Sequence, residues 1–328
     1  MIIKAGKKVV FIAVFCGCGL LLNSLFFYKD HSIWSTDARI EAYGRLPDYS
    51  LDVLFVGSSN IMSGVNPVQL WEETGIQSYN YCSRAQTFPF TYAYLCDALK
   101  SQAPQCIIID AYSVISDKPV YNLINSETHL EMNFSSLKPS RIKYELMKEN
   151  IPWRERLSLA FPIIKHHSRY KNWFEKDETG NIYMGYCFTN EIEPLEQAGY
   201  SDRMAGFQGI DKIYVDKIIE LCNRKKLDLI FIKTPVSIAE EQHSKINGLK
   251  AYLSGYNIPF YDCSDGREIK GFNFAEDMRD ACHLNENGSE KMTSYLTELL
   301  KGKYCFDDAE THAYASLWEG EMNRMENR

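Results

Sequence analysis

The sequence predicts an α/β fold built on a doubly wound sheet of five parallel strands. Five short apolar runs each end at glycine, proline or a polar residue, as is typical of strands buried on both faces. Longer amphipathic stretches alternate with these runs, and such alternation predicts helices on both sides of a parallel sheet. Ligands of these sheets bind at the carboxyl ends of the strands, so functional residues are expected there.

The predicted elements follow one another in a regular order along the chain. The strands are predicted at residues 52–57, 77–82, 105–112, 227–235 and 258–263. The helices are predicted at residues 66–75, 89–102, 210–226, a stretch that ends near 253, and 285–301. The first helix shows the reasons most clearly, because Asn66 can cap it, Pro67 fits its first turn and Gly75 can end it.

Two stretches depart from this order. Residues 113–209 lie between the third strand and the next helix, too many for a connection without structure of its own. They are rich in Trp, Tyr, Arg, Lys and His, and we expect a mostly helical insertion that caps the carboxyl edge of the sheet. Packing inside this insertion is the expected role of Trp153 and Trp173, although both could stack on sugar rings. Residues 306–328 form an acidic tail, expected to be a loosely packed helix or disordered.

The N-terminal segment has the pattern of a membrane anchor. Three lysines within the first eight residues precede residues 9–27, a run of 19 residues without a charge. That is nearly long enough to span a bilayer, and the lysines predict a cytoplasmic N-terminus. A cleaved signal peptide is the alternative, but its apolar region is usually shorter and no A-x-A-like site follows Phe27. We therefore expect a single-pass protein of the cell membrane, with an anchor at residues 1–30 and an extracytoplasmic domain at residues 31–305.

Composition and charge argue against several classes of function. The 328 residues carry a net charge of −7, and no basic block lies outside the N-terminus, so no nucleic-acid partner is expected. The ten cysteines form neither a C-x-x-C pair nor a Cys/His cluster with zinc spacing, and most are expected to be thiols in the core. We expect neither a metal site nor a cofactor.

Two short motifs at opposite ends of the predicted sheet carry the residue types of a serine-nucleophile site. Gly57-Ser58-Ser59 follows the first strand, and the D-x-x-H motif of Asp280 and His283 precedes the last helix. A carboxylate three residues before a histidine can hold one ring nitrogen and aim the other at a serine. Asp277 is the second choice for this acid. Alone, the first motif is more often a turn and the second a capping loop, but their order along the chain brings all three groups to one edge of the sheet.

These motifs resemble those of the SGNH (GDSL-type) serine hydrolases and acyltransferases. The likeness rests on VLFVGSSN at the first strand and DACHLNENG near the end, and it covers about residues 52–302 with the insertion between. It implies a flavodoxin-like sheet of the SGNH type, with Ser59 as the nucleophile, His283 as the base and Asp280 as the carboxylate. Ser58 stands where the family has aspartate.

A narrower resemblance concerns a membrane-anchored branch near the teichoic-acid D-alanyl transfer protein and the alginate-type O-acetyltransferases. The Gly-Ser-Ser block of an anchored chain is similar to that branch, and so is the second block YNYCSRAQTFPFTYAYL. The resemblance implies transfer of an acyl group, chiefly acetyl, to a cell-surface polysaccharide or teichoic acid, or its removal. Transfer would need a partner that brings the acyl group across the membrane, such as a multi-pass membrane-bound O-acyltransferase, whereas hydrolysis would need none.

The chain departs from the family at the groups that stabilise an oxyanion. The second block has no glycine, so an N–H near Ser83 would have to serve beside that of the nucleophile. The third block lacks its Gly-x-Asn-Asp, and Asp110 or Tyr112 occupies that region, with Gln86 and Lys233 as other candidate contacts. Loss of one such donor typically slows catalysis by about 10²–10³-fold, so an inactive glycan-binding or scaffolding subunit is the alternative function.

Overall fold

Five parallel strands form a sheet in the computed structural model, which describes residues 2–27, 29–115, 127–166, 168–196, 200–304 and 313–328. They are β1 (Val53–Gly57), β2 (Ser78–Cys82), β3 (Cys106–Asp110), β4 (Asp228–Lys233) and β5 (Phe260–Asp262). Their spatial order is β2-β1-β3-β4-β5, and every neighbouring pair is parallel. The predicted five-stranded α/β sheet is therefore confirmed.

Helices cover both faces of this sheet, as a doubly wound fold requires. In chain order they are α1 (Ile2–Ser24), α2 (Thr36–Tyr43), α3 (Ser59–Gly64), α4 (Pro67–Thr74), α5 (Phe88–Ala98), α6 (Glu127–Ser136), α7 (Arg141–Asn150), α8 (Trp153–Ala160), α9 (Gly209–Lys225), α10 (Glu240–Ser254), α11 (Phe274–Asp277), α12 (Glu286–Lys301) and α13 (Ala315–Glu326). Leu54 and Val56 of β1 join the apolar cluster that includes α5 and α9. Val53 and Phe55 point the other way, into the cluster that includes α3 and α12. Burial on both faces explains why the strand sequences are apolar throughout.

The local capping signals act where the sequence predicts. The Asn66 side chain accepts the N–H groups of Val68 and Gln69, and Pro67 occupies the first turn of α4. Gly75 ends the helix in the left-handed conformation, with φ at 76°. Short-range hydrogen bonding is thus enough to set the bounds of this helix.

The region between β3 and α9 divides into two halves. Residues 116–126 lie outside the described residues, and α6, α7 and α8 follow them. The described residues between 182 and 208 form no helix and instead bind other elements through their backbone. The Met184 carbonyl accepts the N–H of Asn80 on the outer strand β2 at 3.0 Å. Gly185 turns the chain there at φ +85°, where a Cβ would collide with the Asn80 carbonyl. Met184 and Gly185 therefore lie against the edge strand β2, whereas Ala205 bonds to Ser244 on α10.

Among the described residues, one helix is long and apolar enough to cross a membrane. It is α1, whose residues Gly6–Ser24 are almost entirely exposed. At 1.5 Å per residue these 19 residues extend about 28 Å, close to the thickness of a hydrocarbon core. Asn23 is the buried exception: its Nδ2 donates to the Ala160 carbonyl at 3.1 Å and its Oδ1 accepts the Ile163 N–H at 3.3 Å. Asn23, the polar residue in the apolar run, thus holds the C-terminal end of α1 against the insertion.

The acidic tail packs better than its composition suggests. Within residues 313–328, α13 buries Trp318 completely, 6.0 Å from the ring of Trp71 on α4. Arg324 on the same helix donates to the Ile182 carbonyl. Residues 315–326 thus form the helix that was one of the two expectations, and the other expectation, disorder, is wrong for them; Trp318 is the one buried residue of this helix, and its apolar surface holds the helix against α4.

Candidate active site

The chain turns sharply from β1 into α3 at the carboxyl edge of the sheet. Gly57 ends the strand, Ser58 caps the helix and Ser59 is its first residue. Ser58 Oγ accepts the N–H of Asn60 at 3.2 Å. Position 57 needs glycine because a Cβ there would collide with the Cβ of Asp110 on β3. The turn places the first residue of α3 where parallel sheets bind their ligands.

Ser59, His283 and Asp280 form one chain of hydrogen bonds. Ser59 Oγ lies 2.8 Å from His283 Nε2. His283 Nδ1 lies 2.8 and 2.9 Å from the two carboxylate oxygens of Asp280. Because a carboxylate only accepts, it holds the ring proton on Nδ1 and leaves Nε2 to accept the serine hydroxyl proton. In this geometry a serine can lose its proton as it attacks a carbonyl.

The surroundings of Asp280 keep it ionised at neutral pH. Burial acts to raise its pKa, but the hydrogen bond and charge of His283 oppose that effect. The backbone N–H groups of Cys282 and His283 also donate to it, at 2.9 and 3.0 Å. Together these contacts lower the pKa of Asp280 to about 2. The group that orients the imidazole is therefore a carboxylate.

Neighbouring side chains hold this loop against α3. Asn60 Nδ2 donates to the Cys282 carbonyl, so the residue after the candidate nucleophile contacts the residue before the histidine. Asp277, the second choice for the acid, lies apart from the serine and histidine. Both of its carboxylate oxygens accept from Lys291 Nζ at 2.8 Å, which fastens the loop to α12.

Ser59 and His283 open into a cavity of about 290 Å³. The Trp34 ring lies 5.1 Å from the His283 ring, and the Arg279 guanidinium lies 5.0 Å from the centre of the Trp34 ring. The other lining residues are Asn60, Arg84, Ala85, Tyr112, His129 and Cys282. This volume is at the small end for ligand pockets, so it suits a short acyl group better than a long chain.

Among the described residues, the backbone N–H groups after β2 differ from the expectation in which of them is free of a protein partner. The Ser83 N–H donates to the Gly57 carbonyl at 3.1 Å, so the expectation that it serves the oxyanion is wrong. Gln86 is buried, and its side-chain amide accepts from Ser83 Oγ in the same loop and donates to Thr91 Oγ1 on α5. Ala85 lines the cavity with a left-handed backbone, φ 49°, and its N–H bonds to no residue in the described part of the chain.

Asp110 and Lys233 lie beneath the candidate nucleophile and do not line the cavity. Asp110 Oδ2 accepts the hydroxyl and the N–H of Ser58 at 2.5 and 3.1 Å, and its Oδ1 accepts the Tyr112 N–H at 3.1 Å. Lys233 Nζ is 3.9 Å from Asp110 Oδ1, and both side chains are fully buried. Of the five residues predicted to contact the oxyanion or substrate, Tyr112 is the one that lines the cavity.

Several cavity residues carry no sequence signal. Trp34 comes from the linker after α1, Arg84 and Ala85 from the loop after β2, and His129 from the insertion, none of them in a recognised spacing. Asn60 could have been noticed, because it directly follows the candidate nucleophile. Across the ranges that the structure covers, no group of three or more His, Cys, Asp or Glu side chains is placed to hold a metal ion, and we assign no metal ligands.

Comparison with known proteins yields distant structural likenesses. One is to a candidate lipolytic protein of the G-D-S-L family from Desulfitobacterium hafniense, at 12% identity over 76% of this chain and 98% of that chain, with a TM-score of 0.41. Another is to a candidate acylhydrolase from Bacteroides fragilis, at 14% identity over 80% and 93%, with a TM-score of 0.40. A third is to a GDSL-like lipase from Bacteroides thetaiotaomicron, at 12% identity over 83% and 100%, also with a TM-score of 0.40. No family model matches the sequence, and no curated protein does.

Proposed function

We propose that the protein is a membrane-anchored serine enzyme that transfers O-acyl groups or hydrolyses their esters. The observation that carries this proposal is the hydrogen-bonded chain from Asp280 through His283 to Ser59. Ser59 Oγ attacks the acyl carbonyl while His283 Nε2 takes its proton, and Asp280 stabilises the imidazolium. The intermediate then expels the alcohol, which receives that proton, and an acyl-serine ester remains. An acceptor hydroxyl or water removes the acyl group by the reverse steps.

Two backbone N–H groups are proposed to hold the oxyanion, those of Ser59 and Ala85. Both residues line the same cavity. Donors fixed before the reaction need no reorganisation when charge develops on the carbonyl oxygen. The left-handed backbone of Ala85 is one that glycine adopts readily, so this loop can present an N–H without the family's glycine.

The proposed substrate is a cell-surface polysaccharide or a teichoic acid, and the proposed acyl group is acetyl. The motif resemblance supports this substrate class, the small cavity supports a short acyl group, and the apolar α1 supports attachment to the cell membrane with the domain outside. For transfer, we propose a multi-pass membrane-bound O-acyltransferase as partner, because acyl-coenzyme A stays in the cytoplasm and the acyl group has to cross.

A fluorophosphonate probe tests the proposed nucleophile, because it reacts covalently with activated serines. We expect the full-length protein in detergent to be labelled and Ser59→Ala to remain unlabelled. Ser254→Ala is the matched control: its hydroxyl bonds to the Ala251 carbonyl at the exposed end of α10, so labelling should equal that of the wild type. A folded wild type that resists the probe would instead favour the inactive glycan-binding or scaffolding subunit.

The fate of the acyl-enzyme separates transfer from hydrolysis. The protein would be loaded with a chromogenic acetyl ester, and turnover would be followed with and without a purified envelope polysaccharide. Faster turnover together with acetylated polysaccharide indicates a transferase. Equal turnover in water alone indicates an esterase.

A further inference from the structure

Four large apolar side chains are exposed in a row on α8 and the turn after it. They are Trp153, Leu157, Phe161 and Ile164, whose exposed fractions are 62, 46, 42 and 61%. Trp153 and Leu157, four residues apart, share one face of α8, whereas Phe161 ends the helix and Ile164 lies in the short 3-10 turn that follows; we call these four exposed side chains the α8 stripe. The expectation that Trp153 packs inside the insertion is therefore wrong, and the side chain of Trp173 is not among those described.

The α8 stripe is held at the end of the candidate membrane span. Asn23, next to the last residue of α1, hydrogen-bonds through its amide to Ala160 and Ile163. These two residues flank Phe161 in the chain. If Gly6–Ser24 fill the hydrocarbon core, Asn23 lies at its outer boundary, and the stripe lies at the same level.

Charged and aromatic residues around the stripe have the composition of a membrane interface. Lys148, Arg154, Lys165 and Lys171 are exposed. The Arg154 guanidinium lies 5.5 Å from the Trp153 ring centre, and Lys165 pairs with Glu155 at 3.3 Å. Tryptophan and basic residues concentrate where lipid headgroups meet the hydrocarbon, because their apolar stems can be buried while the polar ends stay wet.

We propose that the α8 stripe inserts into the outer interfacial layer of the phospholipid bilayer that α1 spans. The inference rests on the anchoring by α1 included in the proposed function. Continuity with the span favours the bilayer over a protein occupant, because the Asn23 contacts leave the stripe beside the helix that enters the lipid. α8 then lies along the membrane surface as an amphipathic element and gives the domain a second attachment. A domain held at two places keeps a fixed orientation toward the lipid.

Brominated phospholipids test the position of Trp153, because bromine quenches indole fluorescence on contact. Full-length protein would be reconstituted into nanodiscs that hold one copy, and the Trp153 signal would be taken as the difference between wild type and Trp153→Phe. The double variant Trp153→Phe, Tyr256→Trp is the matched control. It places a tryptophan at an exposed position between α10 and the edge strand β5.

We expect bromine near the headgroup end of the acyl chains to remove most of the Trp153 signal. Aqueous iodide should spare it, and the Tyr256→Trp signal should show the reverse. A Trp153 signal that iodide removes and bromine spares would overturn the inference. So would protection from iodide that appears only with two copies per disc, since a second copy would then be the occupant.

Carbonate washing of native membranes separates failure of the inference from failure of the anchor. Protein that resists extraction while bromine spares Trp153 has a span but no interfacial stripe. Protein that carbonate releases has neither, which overturns the anchoring and the inference together. Fluorophosphonate labelling of Ser59 is independent of both results and reports on the proposed chemistry alone.

Discussion

Ser58 and Ser59 are neighbours in the chain, but their hydroxyl groups hydrogen-bond to different partners. Ser58 donates to the buried Asp110, and Ser59 lies against His283. The division follows from the turn after Gly57, because Ser58 is the extended cap residue and Ser59 is the first residue of the helix, so the two side chains leave the backbone in different directions. Asp110 thus stabilises the turn, and Ser59 is left at the cavity.

Replacement of the acid tests whether Asp280 orients the imidazole. In Asp280→Asn, the side chain no longer fixes the proton on Nδ1, so His283 can present an N–H to Ser59 in place of an acceptor. We expect the rate of fluorophosphonate labelling to fall by about 10²–10⁴-fold, as is typical when a triad loses its carboxylate. Asp265→Asn is the control, because Asp265 pairs with Arg267 and does not line the cavity. Equal rates for both variants would contradict the assigned role.

The buried pair beneath the nucleophile predicts a marked loss of stability when one charge is removed. Lys233→Met leaves Asp110 without its cation, and breaking a buried pair in this way costs about 3–5 kcal/mol of unfolding free energy. Asp110→Asn in the same chain removes the remaining charge but leaves one side-chain oxygen to accept the N–H groups of Ser58 and Tyr112, so we expect the double variant to recover only part of the loss. Denaturant unfolding of the single and double variants in detergent measures the coupling. Losses that simply add would show that the two side chains act independently.

The elements that the sequence predicts well are those with local signals. The apolar runs of β1, β3 and β4 and the Asn66 cap of α4 depend on residues close by in the chain. By contrast, α13 depends on Trp318 meeting Trp71, nearly 250 residues earlier. Residues 183–187 depend on hydrogen bonds to β2 and α3, such as those that join Met184 to Asn80 and Cys187 to Met62. Contacts between residues so far apart in the chain leave no periodic pattern in the sequence. Composition alone therefore left a loosely packed helix and disorder as the two expectations for the tail.

The start of α9 contains a carboxyl group whose ionisation opposes folding. Burial raises the pKa of Asp211 to about 6, although the Ser113 hydroxyl, which donates to it at 2.7 Å, acts in the other direction. A raised pKa contributes stability that is fully present below about pH 4 and is lost as pH rises through about 6. Asp211→Asn has no carboxyl group to ionise. We therefore expect its free energy of unfolding, relative to that of the wild type, to rise by about 1–3 kcal/mol between pH 4 and pH 8. Identical pH profiles of thermal unfolding for the two proteins would contradict this.

At the scale of the whole molecule, the candidate site is assembled from distant parts of the chain. The meeting of Ser59, His283 and Asp280, the candidate nucleophile, base and acid, was predictable because their two motifs occupy the ends of the sheet pattern. The cavity walls were not, because Trp34 reaches His283 from the linker after α1, and Asp30 in the same linker pairs with Arg84 at 3.2 Å. The linker that leaves the candidate span therefore contacts the cavity directly. The linker thus connects the candidate span to the cavity, although no sequence motif links the two.

The contact between Asp30 and Arg84 limits the distance between the cavity and the bilayer that α1 is proposed to span. Asp30 follows Ser24, the last residue of α1, by six residues, which extend at most about 22 Å. Asp30 contacts Arg84 on the cavity wall, so an anchor formed by α1, as proposed, would hold the opening near the outer membrane surface. An acyl group released from a membrane-embedded donor would then have a short distance to travel.

A fluorophosphonate attached to a phospholipid headgroup tests this distance. On a flexible tether of about 40 Å it should label Ser59 in nanodiscs that hold one copy of the protein, because the tether spans the gap that the linker permits. Attached directly to the headgroup, the same probe should label at a rate that falls as the gap between cavity and lipid approaches the limit of about 22 Å. Ser59→Ala controls for reaction elsewhere, and a soluble fluorophosphonate shows that the site is active. Fast labelling by the soluble probe with slow labelling at both tether lengths would mean that the cavity opens away from the membrane.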